Sequence, residues 1–340
     1  MKIEITEFLK QAEELTLIDV RTTKEYEKGH IPKAFNIPLF TNEERAEVGT
    51  RYKQESRDTA LVQALEFIAP KVTYFLDELQ KISPTKEILL YCWRGGLRSA
   101  GMAKLFEAEE YKTTTLIKGY RAYRNYIRQS FEQKANIIIL GGMTGTGKTD
   151  ILREIENLGE QVLDLEKIAH HKGSAFGSIG QEEQPTNEQF ENNIFERWNK
   201  FDLKNRIWIE DESQLIGKVS IPDPLFDQIR SNRVINIELA KEIRIERLVR
   251  EYSNANIELL KQSIKSISKR LGGLSTKLAI ESIEKGDFRN TTDIVLTYYD
   301  KAYNYGLTIR KQQTVNTLKL KEDNPEESAK KVIDLMSSAK

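Results

Sequence analysis

Two short stretches carry residues whose types and spacing could do chemistry. The first is Tyr91-Cys92-Trp93-Arg94-Gly95-Gly96-Leu97-Arg98-Ser99, which contains the single cysteine of the 340 residues. Glycines at 95 and 96 let successive backbone N–H groups turn toward one point, and a helix starting just beyond adds its positive end. Arg94 and Arg98 add full charges. Such surroundings favour a thiolate over the free thiol, whose ordinary pKa is about 8.5. The stretch therefore reads as an anion cradle, with Cys92 as the nucleophile at its base and Arg94, Gly95, Gly96, Arg98 and Ser99 around it. The second is Gly142-Met143-Thr144-Gly145-Thr146-Gly147-Lys148-Thr149, a complete G-x-x-x-x-G-K-[ST] loop between an apolar run and a helical pattern. There Gly142, Gly145 and Gly147 let amides wrap a phosphate, Lys148 supplies a point charge, and Thr149 offers a hydroxyl to Mg²⁺.

Weaker candidates surround these two. "RIWIEDES" ends an apolar run in Glu210, Asp211 and Glu212, where a phosphate-loop protein places an acid that contacts the metal through water; Glu210, first after the run, is the expected one. "AHHKGSAFGSIG" offers His170, His171 and Ser174 on a loop expected to cover the phosphate site as substrate contacts. Adjacent histidines point in different directions and no further ligand is evident, so no metal centre is assigned to them. Arg244, Arg247 and Arg250 recur at three-residue spacing, suited to a lid over phosphates, and Lys261, Lys265 and Lys269 recur at four. Residues 241–277 hold nine Lys or Arg against four Asp or Glu, the best local footprint for a nucleic acid. Arg45, Arg51 and Lys53 could reach an anionic partner, whereas Asp19 with Arg21 reads as a structural ion pair and His30 as a structural hydrogen-bonding residue.

These residues need elements to hold them. "LTLIDVR" and "KEILLYC" read as buried strands whose carboxyl ends present Asp19 and Cys92, and "LRSAGMAKLFEAEEY" as the helix after the cysteine loop. In open α/β sheets, ligands bind outside the carboxyl ends of strands. "GYRAYRNYIRQSFEQ" reads as a helix leaving the first domain, and "ANIIILGG" opens a second, so the expected division is 1–130 and 131–340, with helices dominating beyond 240. Composition agrees with two packed cores: 39% hydrophobic, 31% charged, 52 Lys plus Arg against 52 Asp plus Glu. That balance excludes a globally basic nucleic-acid binder. No apolar run approaches the roughly 18 residues of a membrane helix, the first residues lack the apolar core of a signal peptide, and a lone cysteine suits a reducing compartment. A cytoplasmic protein without membrane contact is expected.

Two resemblances extend this reading. "LIDVR", "EYEKGHIPKAFNIPL" and "YCWRGGLRS" together resemble a rhodanese domain, a sulfurtransferase fold. The five residues between Cys92 and Arg98 are one more than in many rhodaneses and are similar to the loop of rhodanese-fold phosphatases, which keeps a phosphatase open for this domain. Over both domains, "ERAEVGTRYKQ", "CWRGGLRS", "GGMTGTGKT", "AHHKGSAFG" and "QPTNEQFE" occur in the order seen in the tRNA 2-selenouridine synthase family, which the chain resembles. That resemblance implies an α/β chain, a rhodanese-like domain followed by a P-loop NTPase-like parallel-sheet domain with a helical C-terminal part. It further implies replacement of sulfur by selenium in wobble 2-thiouridine of tRNA, with selenophosphate as donor and S-geranylation from geranyl diphosphate as a related activity. The division of labour expected is that the P-loop grips a diphosphate with Mg²⁺. Cys92 handles selenium, either as a perselenide carrier or by assisting attack of selenophosphate. A selenophosphate-producing enzyme is then an expected supplier, and a nucleotide-dependent kinase is the competing reading for the P-loop.

Overall fold

A computed structural model describes every residue except 84, 311–314 and 339–340. Backbone contacts divide the chain into two units, Met1–Ser130 and Phe131–Lys340. Each is built on a five-stranded, wholly parallel sheet, so the class is α/β.

In the first unit the elements run β1 (Lys2–Ile3), α1 (Ile5–Gln11), β2 (Thr16–Asp19), α2 (Thr23–Lys28), β3 (Phe35–Asn36), α3 (Asn42–Gln54), α4 (Arg57–Ile68), α5 (Val72–Ile82), β4 (Glu87–Tyr91), α6 (Leu97–Glu107), β5 (Lys112–Leu116) and α7 (Gly119–Glu132). The sheet order is β1-β5-β4-β2-β3, which puts β4 and its trailing Cys92 loop at the centre. Parallel strands covered on both faces read as continuous apolar runs, and Ile88, Leu89, Leu90 and Tyr91 of β4 are all buried. Helix α2 begins with a reciprocal capping box between Thr22 and Glu25, and α3 with one between Thr41 and Glu44. Phe75, Leu79, Met102 and Phe106 close the core over Ile18 and Leu90.

The second unit continues with β6 (Ile137–Gly142), α8 (Lys148–Asn157), β7 (Gln161–Leu163), α9 (Leu165–Ala169), α10 (Asn187–Trp198), β8 (Ile207–Glu210), the short hairpin β9 (Leu215–Ile216) and β10 (Val219–Ser220), α11 (Asp223–Ser231) and β11 (Arg233–Glu238). Then come α12 (Lys241–Tyr252), α13 (Ile257–Ser266), α14 (Ser268–Leu271), α15 (Gly273–Glu284), α16 (Phe288–Thr308), β12 (Val315–Lys319) and α17 (Pro325–Ser338). Order β12-β11-β6-β8-β7 again puts the strand that feeds the reactive loop in the middle. Ile138, Leu140, Ile151, Ile155 and Trp208 pack with α17 residues Ala329 and Val332, while Leu260, Ile264, Ala279, Ile283 and Val295 form a separate helical core. Among the described residues no helix is long and apolar enough to cross a membrane.

The cysteine loop is held from behind by the turn into α7. The Cys92 and Trp93 carbonyls accept from the Tyr120 and Arg121 amides at 2.8 and 3.1 Å. Gly119 sits at φ 58°, and a Cβ there would lie 2.1 Å from the Cys92 carbonyl oxygen. Gly119→Ala should therefore lower the unfolding midpoint by the equivalent of about 2 kcal/mol or more, and speed labelling of Cys92 by a thiol reagent. A variant with parental stability and parental labelling rate would show that the turn does not hold the loop.

Candidate active sites of the two units

Cys92 is 3% exposed, with its sulfur 3.2 Å from the Ser99 hydroxyl, which in turn donates to the Gly96 carbonyl at 3.2 Å. Gly95 at φ 63° has no room for a Cβ, which would fall 2.5 Å from the Leu116 carbonyl oxygen. Helix α6 starts at Leu97 with no side-chain cap, leaving its first amides for a ligand. The charges divide into committed and available ones. Arg98 is committed: its guanidinium donates to both oxygens of Glu25 at 2.6 and 3.1 Å. This corrects the expectation that Arg98 is free to hold an anion, because residues 73 apart in sequence are joined by the fold. The Arg98 guanidinium and the Thr22 amide, against opposing burial, hold Glu25 below the ordinary carboxylate range. Arg94 is exposed and has no acidic partner among the described residues. Arg45, from α3, curls over Gly49, which has no side chain to block its guanidinium. Burial and then the neighbouring Arg98 lower its pKa, while Glu25 and Cys92 oppose that shift, so Arg45 belongs to the charge set of this loop.

Asp19 and Arg21 form a buried bidentate pair, Arg21 also donating to the Gly29 carbonyl at 2.6 Å and lying 3.9 Å above the Tyr120 ring. His30 stacks on Tyr26 at 3.7 Å, with Nδ1 2.9 Å from the Tyr26 carbonyl oxygen. Both are structural.

In the second unit, Gly147 caps α8 in the left-handed region at φ 79°, Gly145 sits at φ 83° and Gly142 at φ 154°. Lys148 folds back to donate to the Gly142 carbonyl at 2.9 Å, and the Thr149 hydroxyl donates to Glu166 at 3.0 Å. The acid facing the loop is thus Glu166, at the start of α9, and not Glu210. As the last residue of β8, Glu210 is turned into the protein, 2% exposed, accepting the Glu166 amide at 2.7 Å. Burial first, then Asp164 and Glu166, push its carboxyl well above the usual range. Glu166 and Glu212 share a hydrogen bond beside Lys148; burial raises both, and Glu212, recessed yet reached by water, is pushed up to about 8. Thr149, Glu166 and Glu212 are hard oxygen donors of the kind Mg²⁺ takes together with phosphate oxygens.

These groups line a cavity of about 1500 Å³ within the second unit. Its lining also includes Ile267, Ile283, Phe288, Val295, Leu296 and Tyr299 from the α13–α16 region.

The chain itself decides its kinship. Residues 135–327 match the tRNA 2-selenouridine synthase AAA domain, and residues 4–126 match the rhodanese-like domain. A tRNA 2-selenouridine synthase of Bordetella petrii is 34% identical, covering 76% of this chain and 75% of its own length. One from Shewanella woodyi is 31% identical, covering 88% and 90%. The chain belongs to the tRNA 2-selenouridine synthase family.

The remaining expected site residues of this family member fall into three groups. His171, Ser174, Arg247, Arg250 and Lys269 line the cavity with the loop. His171 is 9% exposed, its Nδ1 has no hydrogen-bond partner among the described residues, and burial lowers its pKa. His170 is turned elsewhere: at φ 51° it ends α9, with Nδ1 2.9 Å from the Glu183 carbonyl oxygen, because two adjacent histidines cannot face one cavity. Arg244 is no phosphate lid. It is buried, paired with Asp300 at 2.7 and 2.8 Å, and donates to the Thr144 carbonyl at 3.1 Å, so it braces the loop backbone. Arg247 lies against Gly147 and is paired with Asp150 and Asp323; Arg250 also pairs with Asp323, at 2.8 Å. Lys261 is consumed by Glu258 and Glu284, which leaves it no charge to offer RNA, and Lys265 is exposed outside the cavity lining. Glu166 escaped the sequence reading, although "QVLDLE" does put acids at the carboxyl end of an apolar run.

A carboxyl raised in the folded state stabilises below its unfolded pKa, and that stability is lost as pH rises through the folded value. Between pH about 4.5 and 8 the folded protein keeps a proton on Glu212 that the unfolded chain releases. Stability should fall over this window and fall less in Glu212→Gln, by urea midpoints at either end. Equal slopes in both proteins would refute a shared proton at this pair.

Proposed function

We propose that this chain is a tRNA-modifying transferase. It replaces sulfur by selenium in wobble 2-thiouridine, using selenophosphate and passing through an S-geranylated base made from geranyl diphosphate. The observation that carries the diphosphate reading is the lining of the second unit's cavity: a P-loop, suited to phosphates, shares it with apolar and aromatic residues of the helical part, suited to an isoprenoid chain.

In the first reaction the base sulfur attacks the first carbon of the geranyl group. The carbon–oxygen bond breaks, diphosphate leaves with its electron pair, and the base gives up its N3 proton. Lys148 and the P-loop amides not already bonded within the loop are the groups that would hold that leaving charge. Bound Mg²⁺, held through Thr149, Glu166 and Glu212, would supply further neutralisation of the diphosphate. No ATP hydrolysis enters. In the second reaction selenium attacks the ring carbon, geranyl thiol leaves, and water takes the phosphoryl group from selenium as phosphate. Selenium in selenophosphate is formally selenide, so a perselenide on Cys92 would call for an oxidant; assistance by Cys92 to the substitution is redox-neutral. Arg94, Arg45 and the free amides of α6 are the groups that would hold the phosphoryl end, in a cytoplasmic enzyme supplied by a selenophosphate-producing one.

The phosphatase alternative needs the arginine that closes the cysteine loop to grip a phosphate with both arms of its guanidinium. Glu25 occupies that fork.

The experiment is nucleoside mass spectrometry of 2-thiouridine tRNA incubated with the protein, Mg²⁺, geranyl diphosphate and selenophosphate, each small molecule omitted in turn. A geranylated nucleoside followed by a sulfur-to-selenium mass shift is expected; consumption of ATP or a phosphoester with unmodified tRNA would replace this reading. In the same assay Cys92→Ser should lose selenium incorporation and retain geranylation. Lys148→Ala should lose geranylation by about 10²-fold or more. Loss of both activities in both variants would sink the division of labour and leave the family unaffected.

A further inference from the structure

The cavity of the second unit is larger than its diphosphate requires. Small-molecule pockets run to about 300–1,000 Å³, and this one holds about 1500 Å³. The charges in its lining differ. Arg247 is paired with Asp150 and Asp323, and Arg250 shares Asp323. Lys269 and Arg270 of α14 line the same cavity, are exposed, and have no acidic partner among the described residues. Arg270 instead donates to the hydroxyl of Tyr298 at 3.3 Å. Tyr298 and Tyr299 on α16 lie 5.0 Å apart, tilted by 54°, and both line the same space.

Unpaired cations beside half-buried aromatic rings are the elements of a single-stranded nucleic-acid site: cations track the backbone while rings stack on bases. A second small anion would need the charges but not the rings, and an apolar ligand would need the rings but not the charges. We propose that the rim between α14 and α16 seats one unstacked base of an RNA loop, with Tyr298 as its stacking surface and Lys269 and Arg270 on the flanking phosphates. One cavity thereby receives geranyl diphosphate along the P-loop and the apolar lining, and the nucleotide at the rim formed by α14 and α16. The inference rests on the reading of the chain as a tRNA-modifying enzyme and adds where the RNA enters.

The test is the affinity of the full chain for an anticodon stem–loop RNA, by fluorescence anisotropy over a range of salt, with calorimetry of inorganic pyrophosphate as the control for the P-loop. Lys269→Gln with Arg270→Gln should weaken RNA binding roughly tenfold and reduce the salt slope by about 1.4, from about 0.7 per charge on a single strand. Tyr298→Ala should weaken it roughly tenfold while Tyr298→Phe, which keeps the ring, does not. Lys265→Gln and pyrophosphate affinity should both be unchanged. Parental affinity and slope in the double variant would overturn the site, as would equal binding by Tyr298→Ala and Tyr298→Phe. Geranylation of RNA by the parent with variants that bind like it would remove this site and leave the function. Weakened binding in the variants with no geranyl product from the parent would do the reverse. A parent that binds no RNA would overturn both.

Discussion

Backbone passing within van der Waals reach of backbone is the constraint on which both loops depend. In the first unit the chain entering α7 runs so close beneath the cysteine loop that Gly95 and Gly119 have no room for a Cβ. In the second, Gly145 meets the Arg244 carbonyl and Gly147 meets the Arg247 guanidinium, so α12 lies against the P-loop. Each loop leaves the central strand of a parallel sheet, flanked by strands on both sides. A loop pressed from behind in this way spends its carbonyls on the protein and leaves its amides facing outward. The anion-binding character therefore comes from the backbone, and side-chain charges only add to it.

Charge has to be managed around such loops, because a buried ion without company is costly. The chain pairs most of its recessed guanidiniums: Arg21 with Asp19, Arg98 with Glu25, Arg244 with Asp300, Arg310 with Asp211. The carboxylates next to Lys148 are handled differently. They outnumber the cation, and burial raises Glu166, Glu210 and Glu212 together, so these carboxyls hold their protons to higher pH than ordinary ones. Against this background the cations left unpaired are informative. Arg94 at the cysteine loop and Lys269 and Arg270 in the cavity lining are exposed and have no acidic partner among the described residues, which leaves them open to an anionic ligand.

Local motifs were legible because their function is local. The glycines of the P-loop and of the cysteine turn each need only their neighbours in sequence, and the apolar runs and helical patterns around them read correctly as an α/β fold with parallel sheets. Partner choice was not legible. Whether Glu210 or Glu212 faces the phosphate loop depends on strand parity at the end of β8, and the bond to Thr149 goes to Glu166 on a different element. Arg98 looked free because Glu25 lies 73 residues away. Spacing put Arg244, Arg247 and Arg250 on one helix face correctly, yet it could not say that Asp300, Asp150 and Asp323 would meet them there. The apolar wall was hidden for a related reason: α16 gives most of it, with Leu260, Ile267 and Ile283 added from separate segments, and each helix alone shows only an ordinary core face.

That wall bears on how a reactive diphosphate survives in the site. An allylic carbon loosening from diphosphate is attacked by any water within reach, so transfer to sulfur requires a dry space around the carbon and a polar one around the leaving group. The second unit offers both in a single cavity, whose lining holds Lys148, Thr149 and carboxyl groups together with Phe288, Val295 and Leu296. Aromatic rings such as Tyr252 and Tyr299 in the lining present electron-rich faces that tolerate developing positive charge without supplying a nucleophile. Their hydroxyls keep their protons, since burial raises Tyr252 and Tyr299 above the ordinary tyrosine range. An adenine nucleotide would make little use of such apolar lining, and this is the physical ground for proposing an isoprenoid diphosphate rather than ATP on this P-loop.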